Sequence, residues 1–195
     1  MLDALKVDRF LDLGSGGGYP AIPLAVAMPV ADLALLESIR KKVRFLDAAL
    51  GVVRERHAEA ATWRTLAARA EAVARDPEHR GRWPVVTARA VASLADLVEL
   101  ALPLLEPGGT LLAWKSGDPA DDDGFGAEIA AADRAQNAIG GDGILVDAAF
   151  GSRDPSGSAG LGAIADHCLV LVGRGRGAMD DRWPRDPAVR RRQPW

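Results

Sequence analysis

A cluster of glycines follows the first apolar run of the chain and constrains the fold more than any other feature. Residues 9–13 predict a buried β-strand, and the segment that follows, DLGSGGG at 12–18, carries glycine at 14, 16, 17 and 18. A strand, a glycine-rich turn and a helix bring backbone N–H groups together and let a ligand approach without meeting a Cβ atom. The segment therefore predicts a site for a nucleotide-like cofactor.

Two classes of cofactor compete for such a loop. Dinucleotide sites need a glycine or alanine at the last position of the motif for close helix packing, but here Tyr19 and Pro20 follow Gly18. An opening acid and the spacing Gly-x-Gly-x-Gly fit S-adenosylmethionine instead. We therefore predict that this loop binds S-adenosylmethionine, through Asp12, Gly14, Ser15, Gly16, Gly18 and Tyr19.

The rest of the chain predicts an α/β fold. Apolar runs bounded by turn residues alternate with segments of helical period, which is typical of a mostly parallel sheet with helices on both faces. With 195 residues, 48% of them hydrophobic, the chain fits one domain. We predict strands at 9–13, 32–36, 63–67, 85–88, 110–114, 144–149 and 167–172, helices at 19–28, 39–50, 94–105 and 128–138, and a serine- and glycine-rich loop at 151–162.

Glu37 stands at the end of the predicted second strand. A carboxylate there can accept hydrogen bonds from both ribose hydroxyls of a nucleoside, in either cofactor class. A structural alternative is that Glu37 interacts with the dipole of the following helix, for which Ser38 is a plausible N-cap. We predict the ribose role because the glycine loop lies upstream.

Charge and composition narrow the function further. The net charge of −3 argues against a protein that coats nucleic acid, although seven arginines lie between residues 174 and 192. This basic terminus can contact phosphate or form a solvated, partly disordered tail. Trp183 and Trp195 within it could stack bases.

Cys168 lies in an apolar run, so we predict that its thiol is buried. No apolar run is long enough to span a membrane and no signal peptide is apparent, so we expect a cytoplasmic protein.

Several segments together resemble the bacterial small-subunit ribosomal RNA guanine-N7 methyltransferases, also called the glucose-inhibited division protein B family. The most specific is DLGSGGGYPAIPL at 12–24, with two prolines around the helix start. LESIRKKVRFL at 36–46, ARAE at 68–71, VTARAVA at 86–92, LLEPGGTLLAWK at 104–115 and WPRDPAVRRR at 183–192 are similar to further family motifs. The resemblance implies a Rossmann-like class I methyltransferase with a seven-stranded sheet.

The resemblance also implies roles for individual residues. Glu37 and Ser38 would bind the ribose, and Ala70 and Glu71 would flank the adenine. Arg89 would bind the cofactor and line the catalytic mouth near the methyl donor and the guanine, and Lys115, the second catalytic residue, would emerge at the same sheet edge. For Arg89 the structural alternative is a salt bridge to Glu71 or Asp12, and for Lys115 a solvent-facing strand end.

The implied reaction transfers a methyl group to N7 of a guanine in 16S ribosomal RNA, with the RNA or the 30S particle as partner. Family members carry a helical segment ahead of the first strand, whereas this sequence begins close to that strand. Two explanations are open: the start is truncated, or the protein is a divergent form. Methylation of a small molecule or protein, and a non-catalytic remnant, are the alternatives. We expect residues 1–174 to form the S-adenosylmethionine-binding domain and 175–195 a basic tail, in a monomer without metal.

Overall fold

The computed structural model describes residues 7–147 and 167–195, which form a single sheet with helices on both faces. The predicted positions 148–149 of the sixth strand and the predicted loop at 151–162 lie outside the described residues. The elements in chain order are β1 (Arg9–Leu13), α1 (Ala21–Ala27), β2 (Asp32–Leu36), α2 (Arg40–Arg54), β3 (Arg64–Leu66), α3 (Ala70–Val73), β4 (Trp83–Arg89), α4 (Leu94–Ala101), β5 (Leu105–Ser116), α5 (Phe125–Ile139), β6 (Gly141–Asp147), β7 (His167–Arg174) and α6 (Pro187–Arg192).

The seven strands lie in the order β3-β2-β1-β4-β5-β7-β6. The first five pair in parallel, and β7 runs antiparallel to both β5 and β6. The prediction of a mostly parallel α/β sheet is therefore confirmed. The chain order reverses at β1 and β4, and ligands of open α/β sheets bind beyond the carboxyl ends of the strands at such a switch point.

Both faces of the central strands β1, β2 and β4 are buried, as expected for parallel strands covered by helices. Within β1 the side chains alternate, so Leu11 and Leu13 join the cluster beneath α4 and α5 whereas Phe10 joins the cluster beneath α1 and α2. Leu46 and Leu50 of α2 complete the second cluster. This packing fixes the sheet edge from which the glycine loop emerges.

Several predicted boundaries differ from the structure. The helix predicted at 94–105 ends early, because α4 stops at Ala101 and Leu105 already begins β5. Ser38 is not the N-cap of α2: Ile39 occupies that position and no side chain caps it. The short helices α3 and α6 lie in segments where no helix was predicted.

The expectation of a buried thiol at Cys168 is confirmed. Cys168 is 3% exposed, and burial raises the pKa of its thiol. Trp63 and Trp83 belong to the core. Within residues 7–147 and 167–195, none of the helices has the length and apolar character needed to cross a membrane.

The last thirteen residues pack against the body of the protein, and we call residues 183–195 the C-terminal strap. Trp183 is only 5% exposed, and its ring lies 5.6 Å from that of Trp195 at a tilt of 35°. The guanidinium of Arg185 lies 4.3 Å from the Trp195 ring centre. The prediction of a solvated tail is therefore wrong for these residues. The two tryptophans pack against each other and are not arranged as separate platforms for stacking bases.

Candidate cofactor pocket

The glycine loop turns sharply because three of its residues adopt left-handed backbone angles. The φ angles of Gly14, Gly16 and Gly18 are 72°, 56° and 81°, a region that residues with a Cβ atom seldom occupy. The N–H groups of Gly14 and Ser15 both donate to the carbonyl of Leu36, at 2.8 and 3.1 Å. These bonds tie the loop after β1 to the end of β2.

Glu37 joins that loop to the beginning of α2. Its Oε2 accepts a hydrogen bond from the N–H of Gly16 at 3.1 Å, and its Oε1 accepts one from the N–H of Ile39 at 2.8 Å. The carboxylate is nearly buried and Lys42 Nζ lies 3.9 Å away. Each carboxylate oxygen can accept more than one hydrogen bond, so both keep acceptor capacity toward the pocket.

Asp12 lies beneath the loop. Its Oδ1 accepts a hydrogen bond from the Thr87 hydroxyl at 2.5 Å, and its backbone carbonyl accepts one from Ser15 Oγ at 2.9 Å. The side chain is 1% exposed, and burial raises its pKa to about 6 against the lowering effect of the hydrogen bonds from Thr87 and Ser15. In this structure Asp12 joins β1 to β4 under the turn.

A cavity of about 980 Å³ opens beside the glycine loop. It is bounded by the end of β1, the end of β2, the segment 68–72, the segment 90–92 after β4, and four residues of the C-terminal strap. Of the residues predicted to bind the cofactor, the cavity is lined by Gly14, Glu37, Ser38, Ala70 and Glu71. The switch point of the sheet thus carries a pocket large enough for a nucleoside-like ligand.

The remaining predicted residues lie near this cavity without lining it. Ser15, Gly16 and Gly18 form the turn behind Gly14, and Tyr19 extends outward with 65% of its surface exposed. Asp12, Arg89 and Lys115 are also absent from the lining. The structure therefore brings together about half of the predicted set in one pocket wall, and the glycine turn supports them.

Arg89 is the last residue of β4, and its side chain is exposed. It forms neither of the salt bridges considered from the sequence: Asp12 bonds to Thr87, and Glu71 pairs with Arg190. The next residue, Ala90, lines the cavity with a φ of 54°, which is strained for alanine. The chain thus turns abruptly where β4 meets the pocket.

Lys115 is held inside the protein at the end of β5. Its Nζ lies 2.5 Å from Glu128 Oε1 and donates to the carbonyl of Ala92 at 3.3 Å. Glu128 Oε1 also accepts a hydrogen bond from the N–H of Leu94 at 2.6 Å. The side chain of Lys115 is 14% exposed, so it is not a solvent-facing strand end. It holds the segment after β4 beside the pocket.

The C-terminal strap contributes a part of the pocket that the sequence did not indicate. Pro187, Arg190, Arg191 and Pro194 line the cavity. Arg190 pairs with Glu71, and its Nη1 lies 3.7 Å from Asp96. One local signal was available, because Asp186 followed by Pro187 is a typical helix start, and Asp186 does accept a hydrogen bond from the N–H of Ala188 at 2.7 Å.

The histidines do not lie in the pocket lining. His79 has two possible ligand neighbours, since its ring, Asp76 and Glu78 offer atoms that all lie within 4.8 Å of one another. Exposed acidic groups near a histidine are common on protein surfaces, and the His79 ring stacks on Trp83 at 6.1 Å between centres. The expectation of a protein without metal stays a prediction.

Comparison with known proteins places this geometry in a family. The family model described as rRNA small subunit methyltransferase G (GidB) matches residues 1–135. The chain is 47% identical over 124 residues to ribosomal RNA small subunit methyltransferase G of Roseiflexus castenholzii, covering 64% of this chain and 50% of that protein. It is 37% identical over 189 residues to the protein of the same name from Deinococcus deserti, covering 95% of this chain and 68% of that protein.

The first curated relatives are longer than this chain, which spans about half of their length. Solved structures agree in fold: a predicted O-methyltransferase from Agrobacterium tumefaciens gives a TM-score of 0.62 at 18% identity, covering 88% of this chain and 78% of that one. Geranyl diphosphate C-methyltransferase from Streptomyces coelicolor gives 0.55 at 14% identity, covering 90% and 78%. The fold is that of the class I methyltransferases, and the chain belongs to the rRNA small subunit methyltransferase G family.

Proposed function

We propose that this protein transfers the methyl group of S-adenosylmethionine to N7 of a guanine in 16S ribosomal RNA. One observation carries the proposal: in a member of the rRNA small subunit methyltransferase G family, the glycine loop and Glu37 border one cavity at the switch point of the sheet. The RNA substrate follows from the family, and the cofactor site follows from the geometry of the loop.

The residues around the cavity fit S-adenosylmethionine. Gly14 lines the cavity and leaves room where a Cβ atom would come within 2.6 Å of Val91. Glu37 and Ser38 offer oxygen acceptors for ribose hydroxyls beside it, and Ala70 and Glu71 supply the wall proposed for the adenine. A protein of the same fold supports this cofactor, since the S. coelicolor enzyme was solved in complex with S-adenosyl-L-homocysteine.

The proposed chemistry asks little of the protein beyond orientation. S-adenosylmethionine supplies a methyl group on a positively charged sulfur. Guanine N7 carries an in-plane lone pair and no proton, so no side chain has to act as a general base, and alignment of the reactants lowers the barrier. Arg89 is exposed at the carboxyl end of β4, where it can donate to the O6 and N7 edge of a guanine, as arginines do in nucleic-acid recognition.

Lys115 has a different proposed role. Because its amino group is bonded to Glu128 and to the carbonyl of Ala92, it positions the segment that carries Arg89 and Ala90 toward the pocket. The partner is the ribosomal RNA or the 30S particle, and such a substrate places the protein in the cytoplasm. The protein is proposed to act as a monomer.

The proposal is tested by methyl transfer from radiolabelled S-adenosylmethionine to 30S particles that lack the modification. We expect label in 16S RNA, released as 7-methylguanine, and a loss of about a hundredfold in kcat/KM for Arg89→Ala with little change in cofactor affinity. Arg82→Ala, at an exposed arginine before β4, is the matched control and keeps full activity.

The alternatives give different results in the same assay. Label in a small molecule or a protein, with none in RNA, would assign a different substrate to the same fold. Cofactor binding without any transfer, in this chain and in a longer relative alike, would indicate a non-catalytic member. Either result contradicts the proposed reaction.

A further inference from the structure

The C-terminal strap is fastened to α4 by a buried carboxylate. Glu99 is fully buried, and its oxygens accept hydrogen bonds from the backbone N–H of Arg185 at 2.7 Å and from its Nη2 at 2.6 Å. Trp195 Nε1 donates to Glu99 Oε2 at 2.7 Å. A buried ion pair with several hydrogen bonds holds its partners in one geometry. The strap is therefore fixed at both of its ends.

Backbone carbonyls at the beginning of the strap are also bound. Arg80 Nη1 donates to the carbonyl of Trp183 at 2.8 Å, and Arg75 Nη2 donates to that of Pro184 at 2.5 Å. Between these anchors and Trp195 lies α6, whose residues Pro187, Arg190 and Arg191 line the cavity. The wall that α6 forms is thus part of the folded protein rather than a loose terminus.

Arg190 has a distinctive position on α6. Its side chain is 11% exposed, pairs with Glu71 of α3 and lies near Asp96 of α4. Arg190 and Glu71 both line the cavity, so their ion pair holds two charged side chains together at its wall.

We propose that Arg190 is a binding residue of the S-adenosylmethionine site, where it lines the cavity and fixes Glu71 at the pocket wall. This inference rests on the proposed cofactor. It adds the C-terminal strap to a site whose other residues, the glycine loop and Glu37, lie near the beginning of the sequence. Arg191 and Arg192 on the same helix have exposed side chains and no such pairing with the body of the protein among the described residues.

The test is the Kd for S-adenosylmethionine, measured by calorimetry on the full chain. We expect Arg190→Ala to raise this Kd about tenfold and Arg190→Lys to raise it about threefold, because lysine keeps the charge but cannot reach both carboxylates. Arg192→Ala is the matched control on the same helix and should change the Kd by less than about twofold. Near-ultraviolet circular dichroism checks that each variant keeps the tryptophan packing of the strap, and Arg190→Gln serves as a bulkier replacement for the alanine variant.

A double-mutant cycle separates binding through Glu71 from general destabilisation. Glu71→Gln should raise the Kd about fivefold, and the double variant with Arg190→Ala should be no weaker than Arg190→Ala alone, because the two residues act as a unit. The KM for 30S particles should be unchanged. Unchanged cofactor affinity in a folded Arg190→Ala variant, or an effect on the RNA alone, would overturn the inference. A wild-type chain that does not bind S-adenosylmethionine would instead overturn the proposed function.

Discussion

The glycine loop and the C-terminal strap line the same pocket but are built in different ways. The loop is shaped by backbone angles and main-chain hydrogen bonds, with three glycines at positive φ and two N–H groups on the carbonyl of Leu36. The strap is held by side chains, above all by Glu99 and its partners Arg185 and Trp195. The loop needs particular residues in one short segment, whereas the strap needs particular pairs of distant residues.

This difference means that the two regions should fail under different substitutions. Removing one buried charged partner should release the strap and leave the loop intact, whereas adding a single Cβ atom should damage the loop and leave the strap in place. Four changes test the contrast.

The largest effect is expected at Glu99. Glu99→Ala leaves Arg185 and the indole N–H of Trp195 without their buried acceptor, so it should lower the free energy of unfolding by about 3–5 kcal/mol. Urea unfolding followed by tryptophan fluorescence measures this. The control is Glu106→Gln, whose partner Arg9 is 43% exposed and which should cost less than about 1 kcal/mol. Equal effects of the two variants would mean that the buried pair does not hold the strap.

The next effect concerns Gly14. Gly14→Ala places a Cβ atom at a φ of 72°, which is strained for alanine, and within 2.6 Å of the Val91 side chain, so the loop or that side chain must shift. We expect the Kd for S-adenosylmethionine to rise about a hundredfold, measured by calorimetry. Gly17→Ala is the control, since nothing lies within 4 Å of its added Cβ, and it should bind within about twofold of the wild type. Equal losses at both positions would argue against a backbone-determined loop.

A third change concerns Asp12, whose buried carboxyl group lies beneath the loop. The pKa of Asp12 in the folded protein is about 6, above its ordinary value of 3.8. The folded state therefore binds the proton more tightly than the unfolded state, and the stability from this proton is complete below the ordinary pKa and lost as the pH rises through about 6.

Lowering the pH from about 7 to about 5 should thus stabilise the wild type by roughly 1 kcal/mol relative to Asp12→Asn, which cannot titrate. Parallel denaturation curves of the two proteins at both pH values measure the difference. A wild type that loses stability relative to the variant on acidification would show that the carboxyl is held as a charged group.

The smallest effect is expected at Ala90. Its φ of 54° suits glycine better than alanine, so Ala90→Gly should raise the free energy of unfolding by about 0.5 kcal/mol in thermal or urea unfolding. Ala92→Gly, two residues further at a position without positive φ, should lower it by about the same amount. Opposite signs in the two variants would confirm that strain is confined to one residue beside the pocket.

The sequence predicted the fold well because its signals are local. The bounds of β1 and β2 match the predicted strands, and apolar alternation and the glycine turn are enough to locate them. The predicted end of α4 and the predicted beginning of β5 were wrong, since Leu105 belongs to a strand through its pairing with Trp83. Pairing between distant segments leaves no periodic pattern in either segment alone.

The residues of the candidate site also divide into those that local motifs predict and those that depend on distant partners. Gly14, Glu37 and Glu71 could be predicted from motifs and lie in the cavity lining. Arg190 could not, because its partner Glu71 is 119 residues away in the sequence. Lys115 does lie at the end of β5, but its partner Glu128 was not predicted, since nothing in the sequence of α5 marks that carboxylate as bonded. The catalytic roles of Arg89 and Lys115, and the division into a domain of 1–174 and a tail of 175–195, stay predictions.

The long separation between Glu99 and its partners also sets an order for folding. The contacts that fasten the strap join residues 86 and 96 positions apart, and the strap follows all seven strands in the chain. The strap is also synthesised after the elements to which it is bonded, and it docks on residues of α4 and of the segment before β4. Its contacts therefore need those elements to be in place. The pocket is therefore completed last, after the fold that carries it already exists.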